Sequence, residues 1–178
     1  MSATPPPTEI YSPGLEGVIA GESSVSTVEG GLRYRGYPVP ELAERCNFDE
    51  VAYLLLYGEL PTARQQADFQ ARVAAARKIP ECLRPLFAAL PKNVTPMDAL
   101  RTAVSVLAHF DPEVDDSSPA ANLRKSERLY AQIPLAIADQ YHISRGRSPV
   151  APRVDLGIAA HMLYLLRGKE ASPAEVRE

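Results

Sequence analysis

The segment FDEVAYLLLYGELPTARQQADF, residues 48–69, carries in one line a helix, its stop and the start of the next helix. Asn47 or Asp49 offers an N-cap for DEVAYLLLYG, Val51, Leu54 and Leu55 give it an apolar face, and Gly58 supplies the residue type that tolerates the left-handed stop. Leu60 and Pro61 then interrupt the chain, and Thr62 can cap TARQQADFQARVAAARKI. That run is rich in strong helix formers and spaces Phe69, Val73 and Ala76 for one face, so it is expected to stay helical to Ile79. The reading is of a mainly α protein.

The same signals recur on both sides. Upstream, PELAER from Pro40 makes a brief helix, and residues 13–36 alternate glycines with β-branched residues, which favours short strands and tight turns, one of them at Gly30-Gly31. Residues 1–12, with three consecutive prolines, read as a flexible tail. Downstream, a short helix is expected from Glu81 to Leu90. Thr95 and Pro96 open MDALRTAVSVLAHF, in which Leu100, Val104 and Leu107 form a stripe. After an acidic loop at residues 111–118, the longest helical text runs from Pro119 to Ile143, with Leu129, Ile133, Ile137 and Tyr141 four residues apart. Pro134 lies inside it, where a kink is expected. DLGIAAHMLYLLRG follows, apolar nearly all round. Then comes SPAEVRE, a cap, a proline and a helix start with few residues after it. The order Tyr-Leu-Leu, glycine, cap, helix thus occurs twice, from Tyr53 and from Tyr164.

Composition narrows the function. The 178 residues are 46% hydrophobic and 23% charged, with a net charge of −3, which suits one globular domain and argues against nucleic acid or anionic lipid as partner. The basic groups Arg124, Lys125 and Arg128, and Arg145, Arg147 and Arg153, read as solvated surface. Cys46 and Cys82 have no Cys or His at metal spacing and read as reduced, half-buried thiols, with the cytoplasm as default compartment. No apolar run reaches membrane-spanning length. Of three histidines, His109 and His142 stand near helix ends, where capping is the plain reading, and His161 sits in apolar text as a core histidine. No HExxH, GxSxG, Walker loop or CxxC occurs, and the acids Asp115, Asp116, Glu41 and Glu44 have no catalytic partner at a defensible spacing.

The blocks GLEGVIAGESSVSTVEGGLRYRGYPVPELAE, FDEVAYLLLYGELPTARQ, SERLYAQIPLAIADQY with RGRSPVAP, and HMLYLLRGKEASPAEVRE resemble, in this order, the shorter bacterial and archaeal citrate synthases, including 2-methylcitrate synthases. The resemblance implies a segment of the large helical domain, from the N-terminal part of an enzyme that condenses acetyl-CoA with oxaloacetate to citrate and CoA. Acetyl-CoA is then a substrate, and no cofactor is implied. Stretches like HADHELNAST, GPLHGGAN and GFGHRVY, which carry the family's catalytic histidines, do not occur in these residues. The resemblance therefore implies a chain that stops before the catalytic half and is inactive alone, with no catalytic residue carried over. His161 departs from the asparagine common at its place. The resemblance further implies an interface of antiparallel helices in a homodimer, for which Leu100, Val104, Leu107, Leu129, Ile133 and Ile137 are the candidates, with a C-terminal catalytic half as the alternative partner. A non-catalytic dimerisation or regulatory module derived from the family is the alternative function.

Overall fold

The computed structural model describes residues 21 and 23–177, so the expected tail and the first part of the strand region lie outside the described residues. The described chain opens with a three-stranded antiparallel sheet, β1 (Ser26–Thr27), β2 (Arg33–Tyr34) and β3 (Tyr37–Pro38). The last strand falls just past the residue 36 boundary read from the sequence. Gly30 and Gly31 turn β1 into β2 at φ of 69° and 109°, and Arg35 and Gly36 turn β2 into β3 at φ of 48° and 89°. Arg35 is the residue there that pays the left-handed strain, and its side chain is held: Nη1 donates to Ser24 Oγ and Nη2 to Leu55 O.

Eight helices follow: α1 (Val39–Arg45), α2 (Phe48–Tyr57), α3 (Ala63–Ala75), α4 (Leu83–Ala89), α5 (Pro96–His109), α6 (Pro119–Ile143), α7 (Ile158–Arg167) and α8 (Pro173–Arg177). The caps sit where the chemistry places them. Asn47 and Glu50 close a capping box on α2, Thr62 and Gln65 close one on α3, and Thr95 and Ser118 accept from the first turns of α5 and α6. Gly58 and Gly168 end α2 and α7 at φ of 91° and 72°. The doubled order seen in the sequence is thus a doubled structure: α2 and α7 are both 10 residues long and both close on a left-handed glycine. Each glycine leads four residues later to a side chain that caps the next helix, Thr62 and Ser172.

Two helix limits differ from the sequence reading. α3 ends at Ala75, short of Ile79, because Arg77 turns inward to bind carbonyls of a distant loop and Pro80 disfavours helix at the residue before it. α4 begins at Leu83, and Cys82, at its N-cap, is exposed rather than half-buried.

α6 is the axis of the molecule and touches α3, α4, α5 and α7. It runs unbroken past Pro134. Its buried row is Glu127, Ala131, Leu135, Ala138, Asp139 and His142, not the Leu129-to-Tyr141 ridge, which is only half-buried. Small residues on this row let the neighbouring helices come close, and three core clusters form around it. Tyr53, Phe69, Val73 and Ile158 gather about Ala131, Leu83, Phe87, Ala103 and Leu107 about Ala136, and Leu165 about Leu135 and Ala138.

Candidate functional site

Burying charged groups along α6 requires partners, and each has one. Glu127 is gripped by Arg72, with Nε to Oε2 at 2.9 Å and Nη2 to Oε1 at 2.7 Å, and accepts also from the Tyr57 hydroxyl. Desolvation opposes its charged form, yet these donors prevail and hold its carboxyl below the usual range. Asp139 accepts from Arg84 Nε at 2.8 Å. His142 Nε2 donates to Leu165 O at 2.8 Å, so Nε2 carries a proton. The capping role read for His142 is therefore exercised on the last turn of α7 rather than on its own helix. His109 is exposed in the last turn of α5.

A polar node surrounds the start of α7. Gly157 stands at its N-cap and has no side chain to offer, so the helix is capped from outside. Asp49, on the first turn of α2, brings Oδ2 to 3.4 Å from the Ile158 amide and accepts from the Tyr130 hydroxyl at 2.8 Å and Gln70 Nε2 at 3.3 Å. A Cβ built on Gly157 would lie 3.1 Å from that same Oδ2, so the glycine makes room for the carboxylate. Desolvation and the adjacent carboxylate drive the Tyr130 hydroxyl far above its ordinary pKa, which keeps it a donor. The sequence offered Asn47 and Asp49 as alternative caps for one helix. The structure uses both, on two helices.

The loop leading into α7 is held by Arg77 and His161. Arg77 is buried and donates through Nη1 to Arg153 O at 2.5 Å and through Nη2 to Leu156 O at 2.7 Å. Its pKa is lowered, chiefly by desolvation. His161 has no exposed surface and accepts the Arg153 amide on Nε2 at 3.2 Å, which leaves the proton of the neutral ring on Nδ1, where it has no partner. Burial, with Arg77 adding to it, pushes the ring down to about 4.

On one side of this node a groove of about 780 Å³ opens between α1, α2, α7 and α8, lined by Leu42, Phe48, Val51, Ile158 and Val176 among others. On the other a cleft of about 230 Å³ reaches Arg77 and Asp155. General acid-base work needs a titrating group free to meet a solute. Asp49 is locked by three donors and His161 is sealed, so the node positions α7 and its loop. Among the described residues no group of three or more His, Cys, Asp or Glu could hold a metal, and no helix is long and apolar enough to cross a membrane.

The sequence and the fold are both similar to those of known proteins. A family model described as citrate synthase, C-terminal domain, matches residues 14–178. The chain belongs to the citrate synthase family. Similar members include citrate synthase 2 of Bacillus subtilis, 42% identical over 92% of this chain and 44% of the relative. The 2-methylcitrate synthase of Mycobacterium tuberculosis is 42% identical over 92% of this chain and 42% of its own length. The crystal structure of citrate synthase from Pyrobaculum aerophilum superposes at a TM-score of 0.84 with 34% identity, over 92% of this chain and 44% of that one. The chain thus spans less than half the length of these citrate synthases.

The six interface candidates fall into two groups in this citrate synthase segment. Leu107, 4% exposed, packs inside the chain's own core, and Leu129 lies against the same cluster. Leu100, Val104, Ile133 and Ile137 are half-buried on α5 and α6. Sequence reasoning did not find the Asp49, Gln70, Arg77, Tyr130 node. Its only signal was a second acid beside a sufficient cap and a lone arginine at a helix end.

Proposed function

We propose that these residues are the N-terminal scaffold and dimer surface of a citrate synthase-like acyltransferase. In that reaction acetyl-CoA and oxaloacetate, with water, give citrate and free CoA, and the acid-base groups come from polypeptide outside these 178 residues. The observation that carries this reading is the pairing of 42% identity along nearly the whole chain with coverage of only 44% of the relative. The reading includes a homodimer built on α5 and α6, no resident cofactor, and a cytoplasmic setting, with Cys46 and Cys82 as free thiols in keeping with the last.

The test follows thiol release from acetyl-CoA in the presence of oxaloacetate, with the chain alone and with a second polypeptide supplying the remainder of a family member. No turnover alone and turnover on mixing is expected. Activity that co-purifies with the chain alone would refute the scaffold role. A mixture that associates but stays inactive would refute the acyltransferase assignment.

A further inference from the structure

Beyond the C-cap of α6 the chain makes a turn, Arg145-Gly146-Arg147-Ser148, whose backbone is fixed by hydrogen bonds to the end of the helix. The amides of Arg145 and Arg147 both donate to His142 O, at 3.0 and 2.9 Å, and the amide of Gly146, which sits at φ of 67°, donates to Ile143 O at 2.9 Å. This path sends two guanidiniums back to one ring. Arg145 Cζ lies 3.9 Å from the centre of the Tyr141 ring, and Arg147 Cζ lies 5.4 Å from it. Capping explains the first, since Arg145 Nη1 donates to Ser144 Oγ and to Tyr141 O, a carbonyl of the last helical turn. It does not explain the second. Among the described residues the Arg147 side chain has no ion pair and no hydrogen bond. The next two arginines along the chain are answered by acids, Arg153 by Asp155 and Glu170, and Arg167 by Glu175.

Two like charges on one ring repel each other, and the π face of the tyrosine eases this without cancelling it. An anion between them removes the conflict. Ser148, next in the chain, is exposed, and among the described residues its hydroxyl and amide have no partner, so it offers two further donors. The carbonyls at the end of α6 that would repel an anion are already in use: His142 O holds two amides and Tyr141 O holds Arg145. The loop then runs to Val150, whose side chain lies 3.9 Å from a Cβ built on Gly168, so Lys169, exposed and unpaired among the described residues, adds positive charge to the same end of the molecule. A single carboxylate fills one guanidinium fork. A phosphoryl group brings three oxygens and a charge of about −1.5 to −2 at neutral pH, enough to answer both arginines and Ser148.

We infer that this turn is a binding site for the phosphoryl group of a small soluble phosphate ester, held between Arg145 and Arg147 on the Tyr141 ring with Ser148 as an additional donor. The site goes beyond the proposed acyl transfer and does not depend on it. The turn and Arg145 are ordered by the fold before any ligand arrives, so little ordering opposes binding, while exposure to water and salt keeps the affinity in the millimolar range.

The test titrates the full chain with inorganic phosphate and with glycerol phosphate at constant ionic strength, following the amide resonances of Gly146, Arg147 and Ser148 and taking affinities from their shifts. Both probes should move these amides and saturate in the millimolar range. Acetate should bind about tenfold more weakly. Arg147→Gln, which removes no helix cap, should weaken both phosphates about fivefold or more while circular dichroism shows unchanged helicity. Arg64→Gln takes the same charge from an exposed position on α3 and should leave both affinities as they are. Amides that do not move, or an Arg147→Gln chain that binds like the native one, overturn the site and leave the pair as a helix cap. An equal loss in Arg64→Gln overturns it in favour of general charge attraction. Acetate binding as tightly as phosphate overturns the phosphoryl assignment, and inorganic phosphate binding without glycerol phosphate overturns the ester.

Discussion

Acidification should unfold this chain partly through one buried ring. His161 has no exposed surface, and burial lowers its pKa from 6.5 to about 4, with Arg77 contributing in the same direction and Asp155 opposing. Because the folded value lies below the unfolded one, the unfolded chain takes up the proton first as pH falls. The stability held by the neutral ring is therefore complete above about pH 6.5 and is lost as pH drops toward about 4. At about pH 4.5 the unfolded ring is almost wholly protonated and the folded ring about a quarter so, a difference of about 2.5 kcal/mol. His161→Asn isolates the effect, since an amide oxygen can still accept the Arg153 amide and cannot titrate. Carboxylates such as Glu113, which its arginines hold at about 2, act in both chains and cancel. In urea titrations of both chains, the stability difference should move by about 2.5 kcal/mol in favour of the variant between about pH 7 and 4.5. A difference that stays constant across that range would refute the argument that the ring is folded in its neutral form.

Asp49→Ala removes the outside cap of α7 and leaves the Tyr130 hydroxyl without its acceptor, and should cost about 2–4 kcal/mol in urea midpoint terms. Gly157→Ala should cost about 1 kcal/mol by crowding Asp49 Oδ2, and in the Asp49→Ala background that cost should largely vanish. A cycle showing strict additivity would mean the two residues do not meet as described. Thr62→Ala should cost about 1 kcal/mol because it uncaps a helix of 13 residues, whereas Ser172→Ala in this chain should be nearly silent because α8 has only 5. Equal costs in the two caps, read by denaturant midpoints and amide exchange, would show that α8 is a firmly packed element.

Local chemistry made much of the fold legible. Ser118 and Pro119 start α6, Thr95 and Pro96 start α5, and Gly58 and Gly168 stop α2 and α7, since a cap or a left-handed glycine acts within one turn of chain. The resemblance to the family was carried by blocks such as YRGYPVPELAE and AYLLLYGELPT taken in order. The helix faces were less legible. The apolar ridge of α6 attracted notice, while the row that is in fact buried includes Glu127, Asp139 and His142, and counting apolar residues passes over such a row.

What the sequence determined by itself was the order of the helices and those caps and stops that are made by neighbouring residues, such as Asn47, Thr62, Thr95, Gly58 and Gly168, because each depends on contacts within a few residues. Tertiary structure alone decided that Asp49 caps a helix 109 positions further along the chain, that His142 serves the end of α7, and that Arg77 ends its own helix to hold the loop before Ile158. Each of these groups is polar, and each is buried only because a partner from another element meets it. Desolvation makes that pairing obligatory, but only the packed fold can say which partner arrives.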